Sequence, residues 1–305
     1  MDNNKNIIML DGGMGQELIH RSKKKPDSLW SARVLMDEFD LVVNLHKDFI
    51  NAGASIISLN SYAVTPQRLA RHNIEDKFLS LQNKAIDAAI KAKNESPNNS
   101  KLKIAGCLPP LVGSYQTEIG LGDIVALDTY KHMIEIQEKS VDYFICETMS
   151  SIKEASIAKE ASMITNKPIW MSFCLDEENG ALLRSKEKLK DVIEVLNDKK
   201  IDAFLVNCSS PEAIKQAIPI LKISDKPIGV LPNGFKTTSP LSPEKNVEVL
   251  EKRIDFTEDS FSNFITDCLE DDIVIVGGCC EVPPEFIKKS FNKISSLGYN
   301  FTNKI

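Results

Sequence analysis

The chain has 305 residues, 42% of them hydrophobic and 26% charged, with a net charge of −6. That length is enough for one large core, and the acidic balance speaks against a nucleic-acid partner. No run approaches the ~18 apolar residues of a membrane span, and the opening MDNNKNIIMLDGG lacks the apolar stretch of a signal peptide, so no membrane association and a cytoplasmic location are expected. The seven cysteines are then expected to be reduced, and unusual cysteine placement points to metal or catalysis.

Short, nearly continuous apolar runs recur along the chain. They fall at 6–13 (NIIMLDGG), 55–62 (SIISLNSY), 103–110 (KIAGCLPP) and 142–149 (DYFICETM), then at 168–175 (PIWMSFCL), 203–210 (AFLVNCSS), 227–234 (PIGVLPNG) and 273–280 (IVIVGGCC). Runs of this kind suit parallel strands buried on both faces. Stretches of helical period alternate with them at 40–52, 74–93, 128–141, 151–165, 186–197, 211–223, 260–270 and 283–297. Eight strand–helix pairs predict an α/β chain folded as one (β/α)8 TIM barrel domain over 1–305, in preference to an open sheet. Two connections are long, 21–38 and 111–127, and both belong to the C-terminal face of the barrel. A polar turn at 94–100 belongs to the other face. His46 and His72 fall on predicted helical surfaces and carry no assigned chemistry.

Asp11, Asn60, Glu147, Cys208, Asn233, Cys279 and Cys280 all stand at the C-terminal ends of predicted strands, which a barrel gathers into one site. Cys208 ends the sixth strand, and Cys279 and Cys280 end the eighth. One strand separates them, so three thiols can converge. Zinc favours tetrahedral thiolate coordination, and its catalytic sites keep one position open. The Gly277-Gly278 pair would let the backbone turn tightly before the cysteines. A cysteine pair by itself also occurs as ordinary packing. Cys107, Cys146, Cys174 and Cys268 are read that way, with Cys146 facing away from Glu147 by strand alternation. Glu147 follows the apolar run YFIC and needs a partner. Asp11 either serves the site or caps the DGG turn. Asn233 either orients a ligand or caps its loop.

Asn207-Cys208 together with Gly277-Gly278-Cys279-Cys280 resembles the zinc motif of the homocysteine S-methyltransferase family, whose members include betaine-, S-methylmethionine- and cobalamin-dependent enzymes. Further resemblances run in order: Asp11-Gly12-Gly13-Met14-Gly15, Gly53-Ala54 through Asn60-Ser61-Tyr62, Asp142 through Glu147, and Pro232-Asn233. They span nearly the whole chain. The resemblance implies that Cys208, Cys279 and Cys280 hold Zn²⁺, which binds and deprotonates the homocysteine sulfur. A free alkyl thiol has a pKa near ~8.5 and is mostly protonated at neutral pH. Three protein thiolates and a substrate thiolate outweigh the charge of one Zn²⁺, which keeps the bound sulfur nucleophilic and favours a cationic donor. Glu147 is implied as the residue that holds the amino group of homocysteine, with Asp11 positioning the amino acid. Backbone amides of Gly12, Gly13 and the Ser61-Tyr62 region are candidates for the carboxylate. Trp30, Tyr62, Tyr115, Phe173 and Phe235 are candidates to face a sulfonium or ammonium, with ordinary packing as the alternative. Arg184 matches a family stretch ending in Leu-Arg-Ser and is either a substrate-carboxylate contact or a structural ion-pair partner, with the structural reading preferred.

Betaine-using members place an aromatic residue after the glutamate of the fourth strand, where this chain has Thr148, and extend further at the C-terminus. Cobalamin-dependent members carry extra domains. The expected substrates are therefore homocysteine and a small cationic donor, a sulfonium such as S-methylmethionine. Two other readings remain at this level: a non-catalytic zinc- or thiol-binding, redox-sensing barrel, and a methyltransferase for a different thiol acceptor.

Overall fold

The computed structural model describes residues 6–97, 99–245 and 247–304. Eight parallel strands form its inner wall. They are β1 (Asn6–Met9), β2 (Ile56–Ser58), β3 (Lys103–Leu108), β4 (Tyr143–Met149), β5 (Ile169–Phe173), β6 (Ile201–Ser209), β7 (Ile228–Pro232) and β8 (Ile275–Val276). Hydrogen-bonded neighbours run from β2 in order to β8 and then to β1. A parallel bridge between Leu10 and Ile56, with the Ser55 N–H donating to the Met9 carbonyl at 2.8 Å, closes β1 onto β2. The chain is a (β/α)8 barrel, as the eight apolar runs predict.

The helices are α1 (Met14–Arg21), α2 (Ser31–Asp37), α3 (Phe39–Ala52), α4 (Pro66–Ala70), α5 (Phe78–Asn94) and α6 (Asp123–Gln137). They continue with α7 (Ile152–Ala161), α8 (Leu189–Leu196), α9 (Pro211–Leu221), α10 (Glu258–Leu269) and α11 (Pro284–Ser296). All eight helices expected from periodicity are present, and local chemistry sets their ends. Ser151 and Ser210 cap α7 and α9 through their side chains, Thr257 and Ser260 form a capping box on α10, and Gly53 ends α3 at φ 113°. Three further short helices, α1, α2 and α4, lie in the connections after β1 and β2 and were not expected; α2 and α4, with seven and five residues, hold too few turns for periodicity to register. Asn98, in the polar turn expected over 94–100, and the first five residues, read for a signal peptide, lie outside the described residues.

Side chains pointing into the barrel form their own cluster: Ile8, Leu10, Ile56, Ala105, Tyr143, Ile145, Trp170, Ala203, Leu205 and Ile275. Trp170 is fully buried there, its ring 4.9 Å from that of Tyr143. Elsewhere in the cluster Leu205 needs the bare backbone of Gly229, where an added Cβ would lie 2.6 Å from its side chain. A larger core fills the layer between strands and helices. His46 belongs to that layer. It is fully buried in α3, where burial pushes its imidazole down to about 3 and neither ring nitrogen has a partner. The expected surface position is corrected: period alone marked the α3 face, and α5 and α11 both pack against α3. His72 sits in a turn after α4, its Nε2 2.9 Å from the Ser28 hydroxyl.

A ninth strand, β9 (Asn300–Thr302), was also not expected. It runs parallel to β1 at the N-terminal end of the barrel, and the Ser55 hydroxyl donates to the Thr302 carbonyl at 2.8 Å. Among the described residues no helix is long and apolar enough to cross a membrane.

Candidate active site

The C-terminal strand ends converge on one cavity whose lining includes Asp11, Asn60, Tyr62, Glu147, Cys208, Cys279 and Cys280. Simple alternation does not produce this arrangement. On β6, Ala203 and Leu205 point into the barrel, so Asn207 follows them and Cys208 should face out. Instead Cys208 adopts φ 49°, the ladder to β7 shifts register between Asn207 and Ser209, and both side chains line the cavity. The same device ends β4, where Thr148 adopts φ 58° and the register with β5 shifts between Cys146 and Met149. A left-handed non-glycine residue costs on the order of 1–3 kcal/mol and persists only where its surroundings hold it. Here Asn207 does so. Its Oδ1 accepts from the Thr148 N–H at 3.0 Å and from the Ser172 hydroxyl at 2.7 Å, and its Nδ2 donates to Thr148 Oγ1 at 2.8 Å. Asn207 was quoted only as the neighbour of Cys208. Its position two residues beyond Leu205 on the inward face was the available signal.

The Sγ atoms of Cys208, Cys279 and Cys280 all lie within 4.8 Å of one another. Cys208 and Cys279 are in sulfur–sulfur contact, with Cα atoms 5.6 Å apart. Thiolates at ~2.3 Å from one tetrahedral zinc would be about 3.8 Å apart, so the triad fits the ion with little movement. Burial pushes the Cys280 thiol up to about 12, so forming three thiolates here calls for a cation. The two glycines before the cysteines serve close packing, and neither has a positive φ. A Cβ on Gly278 would lie 2.2 Å from Val282, and one on Gly277 2.7 Å from Leu10. The expectation of a tight glycine turn is corrected to one of close approach.

The opposite wall is acidic. The Asp11 carboxylate accepts from the Ser58 N–H at 2.7 Å and the Ser58 hydroxyl at 3.3 Å, yet burial pushes it up to about 7. Burial and then the charge of Asp11 push Glu147 up to about 8. The Cys107 thiol, read as inert packing, offsets part of this rise from beside Glu147. It lies two residues beyond inward-facing Ala105, the signal that would have placed it. Cys146 does face the outer layer. Asn60 brings a buried Nδ2 with no acceptor. The Tyr62 and Ser114 hydroxyls share a hydrogen bond of 3.0 Å. Gly12 and Gly13 line the cavity, but the Gly13 N–H donates to the Val282 carbonyl at 2.8 Å and the Ser61 N–H to Leu59 at 2.7 Å. Neither of those two amides is free for a substrate carboxylate, which corrects that part of the expectation.

Both long connections deliver an aromatic residue to the cavity, Trp30 from 21–38 and Tyr115 from 111–127. Trp30 meets Tyr62 edge-on at 5.8 Å. Phe235 is buried beside Cys208 and Cys280. Phe173 stacks on Phe204 at 5.9 Å in the outer core, which fits the packing alternative. Asn233 lines an adjacent cleft with Cys208, and its Oδ1 accepts from the Phe235 N–H at 2.9 Å, the geometry of a loop cap. Arg184 pairs with Glu177 at 2.9 Å and lies over the Tyr115 ring at 5.2 Å. Glu177 also accepts from Thr237, Thr238 and Ser239, which ties the loop after β5 to the loop after β7.

The family profile for homocysteine S-methyltransferase matches residues 8–293. A homocysteine S-methyltransferase of Escherichia coli (strain K12) is 30% identical over 247 residues, which are 75% of this chain and 78% of its own length. A selenocysteine Se-methyltransferase of Brassica oleracea is 28% identical over 94% of this chain and 89% of its own. The crystal structure of the Escherichia coli homocysteine methyltransferase MmuM in its metallated form shares the fold, with a TM-score of 0.79 at 24% identity over 95% of this chain and 97% of that one. With nearly its full length matched by one profile, this chain belongs to the homocysteine S-methyltransferase family.

Proposed function

We propose that the protein transfers a methyl group from a small sulfonium donor such as S-methylmethionine to the thiol of homocysteine, giving methionine, with zinc held by Cys208, Cys279 and Cys280. The observation that carries this reading is the pairing of two walls in one cavity: three sulfurs within 4.8 Å of one another, and the carboxyls of Asp11 and Glu147. A bare storage site for metal has no use for the second wall. Zinc bound by the triad would lower the pKa of the substrate thiol and present it as a thiolate.

The remaining work falls to the chain. Glu147, and Asp11 behind it, receive the ammonium of the amino acid, while the free Nδ2 of Asn60 is suited to a carboxylate oxygen. Held at both ends, the substrate has its sulfur aligned for displacement at the methyl carbon. A sulfur–carbon bond forms as the onium–carbon bond breaks. The donor departs as a neutral thioether with its electron pair, so no side chain need protonate it, and the thiol proton leaves to solvent. Trp30 and Tyr115 shield the reacting atoms from water and offer π faces to the cation. Thr148, where betaine-using members carry an aromatic residue, supports a sulfonium over betaine.

A second reading keeps the chemistry and changes the acceptor to another amino-acid thiol or a selenol. Relatives named selenocysteine methyltransferases favour it. The deciding experiment is mass-spectrometric detection of methylated product from reduced, zinc-loaded protein. Homocysteine and selenocysteine serve as acceptors, S-methylmethionine, S-adenosylmethionine, dimethylsulfoniopropionate and betaine as donors, and Cys280→Ser as the blank. Methionine formed with S-methylmethionine and absent in the blank is the expected result. Zinc-loaded protein inert with every pair would overturn the reading.

A further inference from the structure

Beside the zinc triad lies a second cavity that shares Trp30, Ser114, Tyr115 and Cys280 with the first and adds Phe235, Arg68 and Lys245. In a chain of net charge −6, this cavity is cationic. Of the six arginines, Arg21, Arg33, Arg184 and Arg253 each pair with a carboxylate within 2.9 Å. Arg68 and Arg71 have no ion-pair partner among the described residues. Arg68 is half-buried. One of its terminal nitrogens donates to the Pro110 carbonyl at 3.0 Å, its guanidinium lies 5.1 Å from the centre of the Tyr62 ring, and its buried Nε has no acceptor. A guanidinium carries five N–H donors, and two backbone or π contacts leave most of them unused. Arg71 donates to the carbonyls of Pro243 and Val112, and it is near enough to Arg68 for the two charges to disfavour one another. Glu154 and Glu244 lie within charge reach of Arg68 and Arg71 but not within ion-pair distance, and a half-buried guanidinium compensated only at that range gains from a ligand that supplies a direct counter-ion.

We propose that Arg68 binds the carboxylate of the methyl donor, so that the donor is a zwitterion with its onium against the aromatic faces beside Cys280 and its carboxylate at the guanidinium. This inference rests on the methyl-transfer reading above and narrows its donor class. A simple onium salt would leave Arg68 unpaired, whereas an onium carboxylate neutralises it and sets the distance of the methyl group from the triad. Arg68 also holds the loop that carries Ser114 and Tyr115, so a test has to separate recognition of charge from loop support.

The probes are S-methylmethionine, its methyl ester, and trimethylsulfonium, which has the cation and no carboxylate. Steady-state kinetics with zinc-loaded Arg68→Met should show KM for S-methylmethionine raised about ten- to hundredfold, the loss expected for a hydrogen bond to a charged group. KM for homocysteine and for trimethylsulfonium should stay unchanged, and Arg68→Lys should recover part of the loss. Both sulfonium donors weakened alike would overturn the proposal in favour of loop support, and neither changed would overturn it outright. Calorimetry on the wild-type protein needs no variant. There the methyl ester should bind at least about tenfold more weakly than S-methylmethionine, and equal affinity, or no binding of S-methylmethionine, also overturns it. Carboxylate-dependent binding without turnover would sink methyl transfer and leave the Arg68 assignment standing. Turnover indifferent to Arg68 and to the carboxylate would do the reverse.

Discussion

At the scale of single residues, the site depends on a few groups whose environments the chain sets. Cys208→Ser or Cys279→Ser should lose zinc and methyl transfer together, as read by metal analysis and turnover on the same sample. A serine variant that kept stoichiometric zinc would remove that cysteine from the ligand set. Glu147 carries the pH dependence. Its carboxyl is pushed up to about 8 and that of Asp11 to about 7, and each must be ionised to hold an ammonium. Affinity for homocysteine should therefore be full only above about pH 9 and fall as the pH drops through 8 and 7, with protons released on binding near neutrality. Glu147→Gln should flatten that profile and weaken homocysteine binding while leaving zinc in place. The linkage has a second consequence for the ligand-free protein. A carboxyl whose folded pKa is raised adds stability at low pH that is lost as the pH rises through about 8. Glu147→Gln should then melt higher than the wild type at pH 9, and an unchanged or lower melting temperature would contradict the burial of this charge. The three cysteines and Glu147 were legible as residue types at strand ends. Asn207 and Cys107 carried only the weaker signal of alternation, each two residues beyond an inward-facing residue, and which face is inward is known only once the strands are assembled.

At the scale of elements, the ends of β4 and β6 decide the chemistry. Both strands break alternation with a left-handed residue; Asn207 joins the two breaks with two hydrogen bonds to Thr148, and a third holds Ser172 of β5 between them. Asn207→Ala leaves Thr148 and Cys208 without that support. It should reduce zinc affinity about 10–100-fold, the range for lost partners behind metal ligands, in competition with a chromophoric chelator. The turn after β1 packs against the turn after β8 at backbone distance, and a Cβ on Gly13 would lie 2.5 Å from the Cys279 carbonyl oxygen. Gly13→Ala should thus displace Cys279 and lower both melting temperature and zinc content. Normal zinc content in that variant would show that the two turns move independently. Periodicity placed the eight helices that alternate with the barrel strands well and left α1, α2 and α4 unseen, although α2 follows Trp30 and α4 carries Arg68.

At the scale of the whole molecule, the barrel divides its tasks between two ends. Chemistry sits where the strands finish, and closure sits where they begin. There β9 lies beside β1, Phe301 stacks on Phe291 at 4.3 Å, and the Tyr143 hydroxyl donates to the Asn303 carbonyl. Truncation after Leu297 should lower the melting temperature while leaving zinc stoichiometry intact, since the triad lies at the other end. Loss of zinc on truncation would mean that closure at the base holds the site at the top. The sequence by itself determined the count and order of the eight barrel strands and of the eight helices that alternate with them, and which end bears the reactive residues. Apolar runs, helical periods and residue types are local properties, and a parallel sheet converts strand order directly into position. Only the tertiary structure decided that Cys208 faces inward against its alternation, that His46 is buried, that the Gly13 amide is already used, and that Arg68 has no carboxylate within ion-pair distance. Each of these depends on which atoms from distant parts of the chain come within a few ångströms, and no local pattern records that.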